Sequence, residues 1–387
     1  MSAPATAIAA SGTSNTLTIK VGGTTYGNFK EASATKWLDI VSNEFSFLAT
    51  SEDAQPLPFK LDQPCKIYAD GELVVTGFIE VIEVSADPRS HEILIAGRDK
   101  TSDLVDSTID GLSSITGDVS LKALCEIVIA HIGSDLEVID NAKPAVFEAA
   151  QYISNPDPGT NAIEFLEHHA RERQVLLTSD AQGRLVIDKP VGVLVDGVAR
   201  FRVRGFVQNQ VGDPDGANNV LRSKVSYDST GRFRNYRVIS QANIVALALA
   251  GTTEASSIAN QSSSVFVDDE VRAGRQMVVM SETLSSSASA LQRAMWTARV
   301  RKSRSKVYGA TVSGYRNRTG NLWDINEIVS VNDDAADVHA SMLANSVTYA
   351  VSPDDGPTVT MALLVKNAYS LTLEDPAAGD IGGNTVG

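Results

Sequence analysis

Apolar and polar side chains alternate along about the first hundred residues, which is the pattern of half-buried strands. The alternation begins in TLTIKV (16–21). The segment KIYADGELVVTGFIEVIEVSAD (66–87) carries two apolar-rich arms around Asp70-Gly71, a dipeptide that supplies the positive φ angles of a tight hairpin turn. EILIAG (92–97) predicts a further strand. Because no helix-length periodicity occurs before this point, we predict a small, twisted antiparallel sheet or barrel.

The pattern changes to helical spacing in the middle of the chain. SLKALCEIVIAHIGS (120–134) predicts a helix that Ser120 caps at its N-terminus. A second helix is predicted over 155–174, where Asn161 and Glu164 have capping-box spacing. A hairpin follows in VLLTSDAQGRLVID, and together these elements predict an inserted α/β domain.

Strand patterns return in the last half of the chain. ARFRVRGFVQN (199–209) predicts one strand, and 218–241 predicts two. Residues 250–264 are poor in bulky apolar side chains and predict a loop, whereas 284–303 predicts a helix. Four closing strands are predicted at about 307–315, 323–333, 345–352 and 358–366, with a turn at Asp355-Gly356.

These patterns predict an α+β protein that is predominantly β. The predicted division is an N-terminal arm (1–14), a first strand-rich domain (15–105), an inserted α/β domain (106–196), a second strand-rich domain (197–372) that contains the helix 284–303, and a C-terminal tail (373–387).

Composition narrows the functional classes. The net charge of −14 argues against a general binder of duplex DNA, which needs a basic surface. No run of about 18 apolar residues is present, and the N-terminus lacks the features of a secretion signal. Cys65 and Cys125 lie in apolar patterns without neighbours at metal-ligand spacing, so we interpret them as buried free thiols.

The stretch IAGRDKTSDLVD (95–106) combines a strand end with several charges. It lacks a P-loop, because Asp99 occupies the place of the second glycine and would repel a phosphate. We predict instead that Gly97 ends a strand and that Thr101 or Ser102 caps a short helix. The cations of the stretch then pair with nearby aspartates or contact a neighbouring chain.

Basic residues cluster at two further places. The run at 299–306 complements the dipole of a helix C-terminus or forms a docking surface for an acidic neighbour. The alternating arginines of 200–204 mark a solvated sheet face or a subunit contact. The candidate subunit or partner contacts are therefore Arg98, Asp99, Lys100, Arg200, Arg202, Arg204, Arg299, Arg301, Lys302 and Arg304.

The sequence offers no strong catalytic, cofactor or metal signal. The pair His168-His169 lies in a charged helix and lacks the three or four convergent ligands of a zinc site. No G-x-S-x-G motif occurs. The acidic pairs Asp213/Asp215 and Asp333/Asp334 lie in turn-like contexts and favour solvated turns over an acid/base pair. We predict no catalytic residue, no metal and no cofactor.

Several segments in the same order resemble the baseplate hub proteins of contractile-tailed, Mu-like bacteriophages. The segments are AGRDKTSDLVD (96–106), VLLTSDAQGRLVI (175–187), ALQRAMWTARVRKSRSK (290–306), GNLWDINEIVSV (320–331) and a closing strand pair around Asp354-Asp355-Gly356. Their order and spacing carry the resemblance more than any single motif.

The resemblance implies a structural protein of the virion tail baseplate, assembled in the host cytoplasm. It implies two tail-tube-like β-barrel domains with an inserted α/β domain, and a homotrimeric ring that joins a sixfold tail tube to a threefold spike. The implied partners are further copies of the chain, the tail tube protein, the spike protein and other baseplate proteins. DNA would pass through the ring without specific binding. The alternative is a tail-associated cell-wall hydrolase.

Overall fold

A computed structural model describes most of the chain. The described residues are 16–50, 59–87, 91–112, 115, 118–148, 153, 155–190, 193–194, 200–203, 220–240, 263–281, 287–317 and 320–369. The predicted N-terminal arm and C-terminal tail, Arg204, the pair Asp213/Asp215 and most of the predicted loop 250–264 lie outside these residues.

The chain begins and ends with regions rich in strands, and its middle contains both strands and helices. The strands are β1 Leu17–Val21, β2 Thr24–Tyr26, β3 Glu31–Trp37, β4 Glu44–Thr50, β5 Pro64–Ala69, β6 Glu72–Ala86, β7 His91–Asp99, β8 Thr108–Ile109, β9 Val138–Asp140, β10 Thr160–Asn161, β11 Leu176–Ser179, β12 Leu185–Asp188, β13 Val193–Leu194, β14 Arg200–Val203, β15 Val220–Tyr227, β16 Asn235–Ser240, β17 Ser263–Val267, β18 Gln276–Ser281, β19 Lys306–Ser313, β20 Glu327–Asp333, β21 Val338–Ser352 and β22 Gly356–Val365. The helices are α1 Ser102–Asp106, α2 Leu121–His131, α3 Ala162–Glu172 and α4 Ser287–Arg304.

One large sheet connects the two ends of the chain. Its order is β15-β19-β22-β21-β3-β4-β7-β6-β5-β1-β2, and β20 pairs with β21, β13 and β14 off this path. We call β1–β7 the first lobe and β13–β15 with β19–β22 the second lobe. Buried side chains of both lobes form one continuous apolar cluster, so the protein is an α+β fold that is predominantly β.

The middle of the chain folds around a separate core. Helices α2 and α3 pack with the three-stranded sheet β11-β12-β9, whose apolar side chains face them. The sheet β17-β16-β18, called the small sheet below, lies outside both lobes and packs against α4. The strands β15 and β16, predicted together from 218–241, therefore belong to different sheets.

Local signals in the sequence located several turns and caps correctly. Asp70 and Gly71 have φ angles of 52° and 83°, as the hairpin between β5 and β6 requires. The side chain of Ser120 accepts a hydrogen bond from the Ala123 amide at the start of α2. Asn161 is the N-cap of α3, as its spacing to Glu164 predicted, so the helix itself begins at Ala162 within the predicted segment 155–174.

One strand boundary and one capping hydrogen bond of the sequence analysis were wrong. The strand β7 continues through Gly97 to Asp99, so Gly97 lies inside a strand and does not end it. Thr101 occupies the N-cap position of α1, but its side chain makes no capping hydrogen bond. Its hydroxyl donates instead to the carbonyl of Val41 and to Asp99, contacts that no local pattern could indicate.

Close backbone approach explains the glycine inside β7. A Cβ atom at Gly97 would lie 2.0 Å from the carbonyl oxygen of Phe78 and 2.7 Å from Cζ of Phe45. Such distances require the paired strands β6 and β7 to move apart.

We expect Gly97→Ala to lower the free energy of unfolding by about 3 kcal/mol, because the added methyl group overpacks a rigid sheet. Gly309→Ala is the matched control, since a Cβ there would lie 3.6 Å from its nearest neighbour, the carbonyl oxygen of Lys224. Urea unfolding of both variants measures the difference. Equal stability of the two variants would contradict the close approach.

Candidate functional site

The two lobes are joined by backbone pairing between β21 and β3. The strands run antiparallel, from the pair Ser346–Trp37 to the pair Val351–Ala32. The hydroxyl groups of Thr35 and Thr348 hydrogen bond across this junction at 3.0 Å. The junction therefore fixes the relative position of the lobes through a continuous ladder of hydrogen bonds rather than through side-chain contacts alone.

A cluster of polar side chains closes one end of the junction. Asp39 follows β3 and accepts hydrogen bonds from Arg304 at 2.6 Å, Asn345 at 2.9 Å and Tyr369 at 3.1 Å. The backbone amide of Leu38 donates to the carbonyl of Asn345. One aspartate of the first lobe thus binds α4, β21 and the end of the described chain together.

An ion pair and a half-buried carboxyl lie near the same end of the junction. The Nζ atom of Lys36, on β3, lies 2.5 Å from a carboxylate oxygen of Asp324 in the second lobe. Glu327, at the start of β20, has a buried Oε2 atom without a hydrogen-bond partner. Burial raises the pKa of Glu327 to about 7, and the charge of Asp324 acts in the same direction.

Asp99 joins the first lobe to the inserted domain. Its carboxylate is fully buried and accepts hydrogen bonds from the Asn43 amide, the Ser42 hydroxyl and both the amide and hydroxyl of Thr101. Burial raises the pKa of Asp99, and these donors partly oppose that effect. This predicted contact residue is therefore held inside the chain.

The neighbouring cations also bind acidic groups of the same chain. Arg98 contacts Glu80 on β6 and Asp106 in α1, and it holds the pKa of the Asp106 carboxyl below its usual range. Lys100 lies 3.0 Å from Asp135. The prediction that these cations pair with nearby acidic residues is thus correct for Arg98 and Asp106. Contact of either cation with another subunit stays a prediction.

The basic run at the end of α4 is anchored to three separate elements. Arg301 donates to the carbonyl of Gly231, Lys302 lies 2.6 Å from Glu270, and Arg304 binds Asp39. The half-buried Arg299 lies on the same helix. These cations therefore hold α4 against the small sheet and the first lobe, in addition to complementing the helix dipole.

The arginine stripe of 200–204 is only partly described. Arg200 and Arg202 lie on β14, which pairs in parallel with β20 at the edge of the second lobe. Their role as subunit contacts stays a prediction.

The other residues considered as chemical candidates have structural positions. Asp333 is buried and accepts a hydrogen bond from the hydroxyl of Tyr308 at 2.8 Å. Cys65 and Cys125 are buried free thiols, as predicted. Among the described residues, no group of three or more histidine, cysteine or acidic side chains could hold a metal ion. The described helices include none with the length and apolarity needed to cross a membrane.

The residue pattern did not show that the two lobes repeat the same strand order; only the family resemblance implied two similar domains. In the first lobe β3, β4, β7 and β6 follow one another, and in the second lobe β15, β19, β22 and β21 do so. The long strands β6 and β21 each contain a register shift at the corresponding place, around Glu80 and around Asn345. This repetition is visible only in the pairing, because the two lobes differ in sequence at corresponding positions.

Two strand edges that are paired in one lobe have no partner among the described strands at the corresponding place in the other lobe. Strand β21 pairs with β20 along its first half and with β3 along its second half. Strand β6 pairs with β5 up to Phe78, but no described strand pairs with that edge of β6 beyond the register shift. Strand β15, the counterpart of β3, has only β19 as a partner in the described chain. Val84 on β6 and Tyr227 on β15 are 50% and 65% exposed at these edges.

Three family models match successive parts of the chain. Residues 16–99 match the N-terminal domain of the Mu phage baseplate assembly protein GpP-like family, and residues 101–189 match the second domain of the baseplate hub protein gp44-like family. Residues 286–372 match the fourth domain of the Mu phage baseplate assembly protein GpP family.

Whole-chain comparisons agree with these matches. The baseplate hub protein gp44 of Escherichia phage Mu is 23% identical over 378 residues, covering 97% of this chain and 94% of the relative. The crystal structure of the 43 kDa tail protein of prophage MuSo2 from Shewanella oneidensis is 26% identical with a TM-score of 0.73, covering 92% of this chain and 99% of that one. A tail protein from Neisseria meningitidis MC58 shares the fold, with 18% identity, a TM-score of 0.72 and coverage of 92% and 98%.

We expect the pKa of Glu327 to make stability pH-dependent at the junction. Between about pH 4.5 and pH 7, Glu327 stays protonated in the folded chain but loses its proton in the unfolded chain. The contribution of Glu327 to the free energy of unfolding is therefore fully present below about pH 4.5 and is lost as the pH rises through about 7. Glu327→Gln should therefore be more stable than the parent at pH 8, by on the order of 1–3 kcal/mol after allowance for partial solvent exposure, and similar to it near pH 4.

Urea unfolding of parent and variant at several pH values measures this difference. Glu44→Gln, at an exposed position of β4, is the control and should follow the parent. A constant difference between Glu327→Gln and the parent across the pH range would show that Glu327 does not titrate there.

Proposed function

We propose that this chain, which belongs to the family of baseplate hub proteins of Mu-like phages, is the structural hub of a contractile phage tail and that three copies form a closed ring. Each lobe would act as one tail-tube-like β-barrel unit, so three chains would present six similar units. Such a ring matches a sixfold tail tube on one side and a threefold spike on the other. The proposed units are the two lobes, which lie within the predicted domains 15–105 and 197–372 apart from β13, whose residues Val193–Leu194 precede the second domain but pair with β20; the predicted α/β domain 106–196 is inserted between them.

The repeated strand order carries this proposal. Within one chain, β21 of the second lobe pairs with β3 of the first lobe. If the same junction repeats between chains, the exposed second half of β6 pairs with β15 of the next copy. Unpaired strand edges are templates for pairing with another chain, and a closed ring removes them.

The internal junction also specifies the register of the proposed contact. Residues at the same position of the repeated strand order are called counterparts here. Counted from the register shifts, Val84 is the counterpart of Tyr349. The pairs that β4 and β19 form with their neighbouring strands make Val225 the counterpart of Ala34. Tyr349 pairs with Ala34 inside the chain. Val84 should therefore lie opposite Val225 of the neighbouring copy, which would bury the exposed valine.

The other parts of the proposal rest on charge and on the family. A net charge of −14 suits a ring that DNA passes without binding, since like charges repel. The partners would be further copies of the chain, the tail tube protein, the spike protein and other baseplate proteins. The role would be structural, without catalysis and without a cofactor, in the tail of the virion.

We expect the double variant Val84→Cys, Val225→Cys to form disulfides between chains under mild oxidation. The product should be a covalent series that ends at three chains, because the third link closes the ring. The native thiols should stay inert, since burial raises the pKa of Cys65 to about 12 and also raises that of Cys125. Denaturing gels and light scattering measure the number of linked chains.

The matched control is Val84→Cys with Val278→Cys, because Val278 has a similar exposure of 48% but lies on the small sheet. This control should give no defined series. A reduced parent protein that stays monomeric at assembly concentrations, or a crosslinked series that extends beyond three chains, would overturn the ring.

A further inference from the structure

A cleft of about 980 Å³ opens where the inserted domain, the small sheet and α4 meet. Four consecutive residues of β18, from Met277 to Met280, line it. Because successive side chains of a strand point to opposite faces, a cleft that touches all four runs along the backbone edge of the strand. Within the described chain β18 pairs only with β16, so its other edge offers backbone donors and acceptors to the cleft.

The walls of the cleft suit an extended segment with apolar side chains. Val278 is 48% exposed, Met280 is 42% exposed, and Ile40 on the opposite wall is 47% exposed. The indole Nε1 of Trp296, another lining residue, is buried without a hydrogen-bond partner. An added strand would bury the apolar surface and pair with the free edge, a common mode of peptide recognition.

The described chain ends at the rim of this cleft. Tyr369 is 1% exposed, and its hydroxyl donates to Asp39, which is one of the lining residues. The chain continues from there as SLTLED (370–375), in which leucines alternate with polar residues. Six extended residues span about 20 Å, which matches the length of the six-residue β18.

We propose that the C-terminal segment Leu371–Asp375 docks in this cleft of its own chain as an additional strand on β18. This inference goes beyond the proposed ring and does not depend on it, because it concerns a contact inside one chain. The docked segment would tie the small sheet to the inserted domain.

The positions of the cleft ends set the direction of the docked segment. Arg275, immediately before β18, and Arg301 of α4 lie over one aromatic ring at 5.4 Å each, so β18 begins near the end of α4. Ser281 and Arg293 both contact Glu172, so β18 ends near the middle of α4. A segment that enters beside Asp39 meets the start of β18 first and therefore runs parallel to it.

Charge supports the same arrangement. The lining carries four arginines and three carboxylates, in a chain whose net charge is −14. Glu374 and Asp375, which follow the leucines, would reach the end of the cleft where Arg171 lies on α3. Arg171 pairs with Glu167 of the same helix, so Glu374 and Asp375 would compete with Glu167 for this arginine.

A disulfide between the segment and β18 tests the proposal. In the full chain, Leu373→Cys with Val279→Cys, the position opposite Leu373 when the six residues lie parallel to β18, should form an intramolecular disulfide under mild oxidation, seen as a compact monomer on denaturing gels and located by peptide mapping. The matched control pairs Leu373→Cys with Val265→Cys, which is 46% exposed on β17 at the opposite edge of the small sheet. The control should stay reduced.

Two results would overturn the proposal. A Leu373–Val279 disulfide formed only between chains would show that a second copy supplies the segment, and absence of any such disulfide would show that the cleft does not hold it. Failure of the Val84–Val225 crosslink would leave this result unaffected, so the two proposals fail separately.

Discussion

The antiparallel pairing of β3 with β21 is the interaction on which the whole architecture depends. It joins residues about three hundred positions apart in the sequence and merges two strand-rich lobes into one sheet with one apolar core. Side chains then reinforce a geometry that the backbone has already set. Asp39 binds α4 and β21, and Lys36 reaches Asp324 near the same end of the junction. A rigid connection of this kind fits the proposed hub, because a flexible linker would let the two lobes move independently.

Both proposals rest on strand edges that have no partner among the described strands. A strand that lacks a neighbour exposes a row of backbone donors and acceptors, and proteins ordinarily pair or cover such a row. The free half of β6 and the outer edge of β15 are counterparts of strands that pair inside the chain, which is the reason to propose that they pair between chains. The edge of β18 has no such counterpart, and it borders a cleft at the point where the described chain ends. The same physical rule therefore supports two different proposals, one for assembly and one for the C-terminal segment.

The charged residues that stand out in the sequence serve mainly to position these elements. Asp99 is buried in a set of four donated hydrogen bonds between the first lobe and α1, and Arg98 connects β6 with the same helix. The cations at the end of α4 reach the small sheet and the first lobe. Local sequence could show that these charges cluster, but it could not show which acidic groups they meet, since Asp39 and Arg304 are separated by most of the chain. Contacts with other subunits would therefore involve surface residues other than the charges that these ion pairs already occupy.

The sequence by itself determined the local structure and the family resemblance. Strand alternation, the Asp70-Gly71 turn, the Ser120 cap and the helix α4 all depend on neighbouring residues, so their signals lie within a few positions of one another. Tertiary structure alone decided the strand order, the continuation of β7 through Gly97, the separation of β15 from β16 and the repetition of the two lobes. These features arise from pairing between segments that are distant in the sequence. Backbone hydrogen bonds are the same whatever the side chains are, so the partner of a strand depends on which strand edges the rest of the fold leaves unpaired.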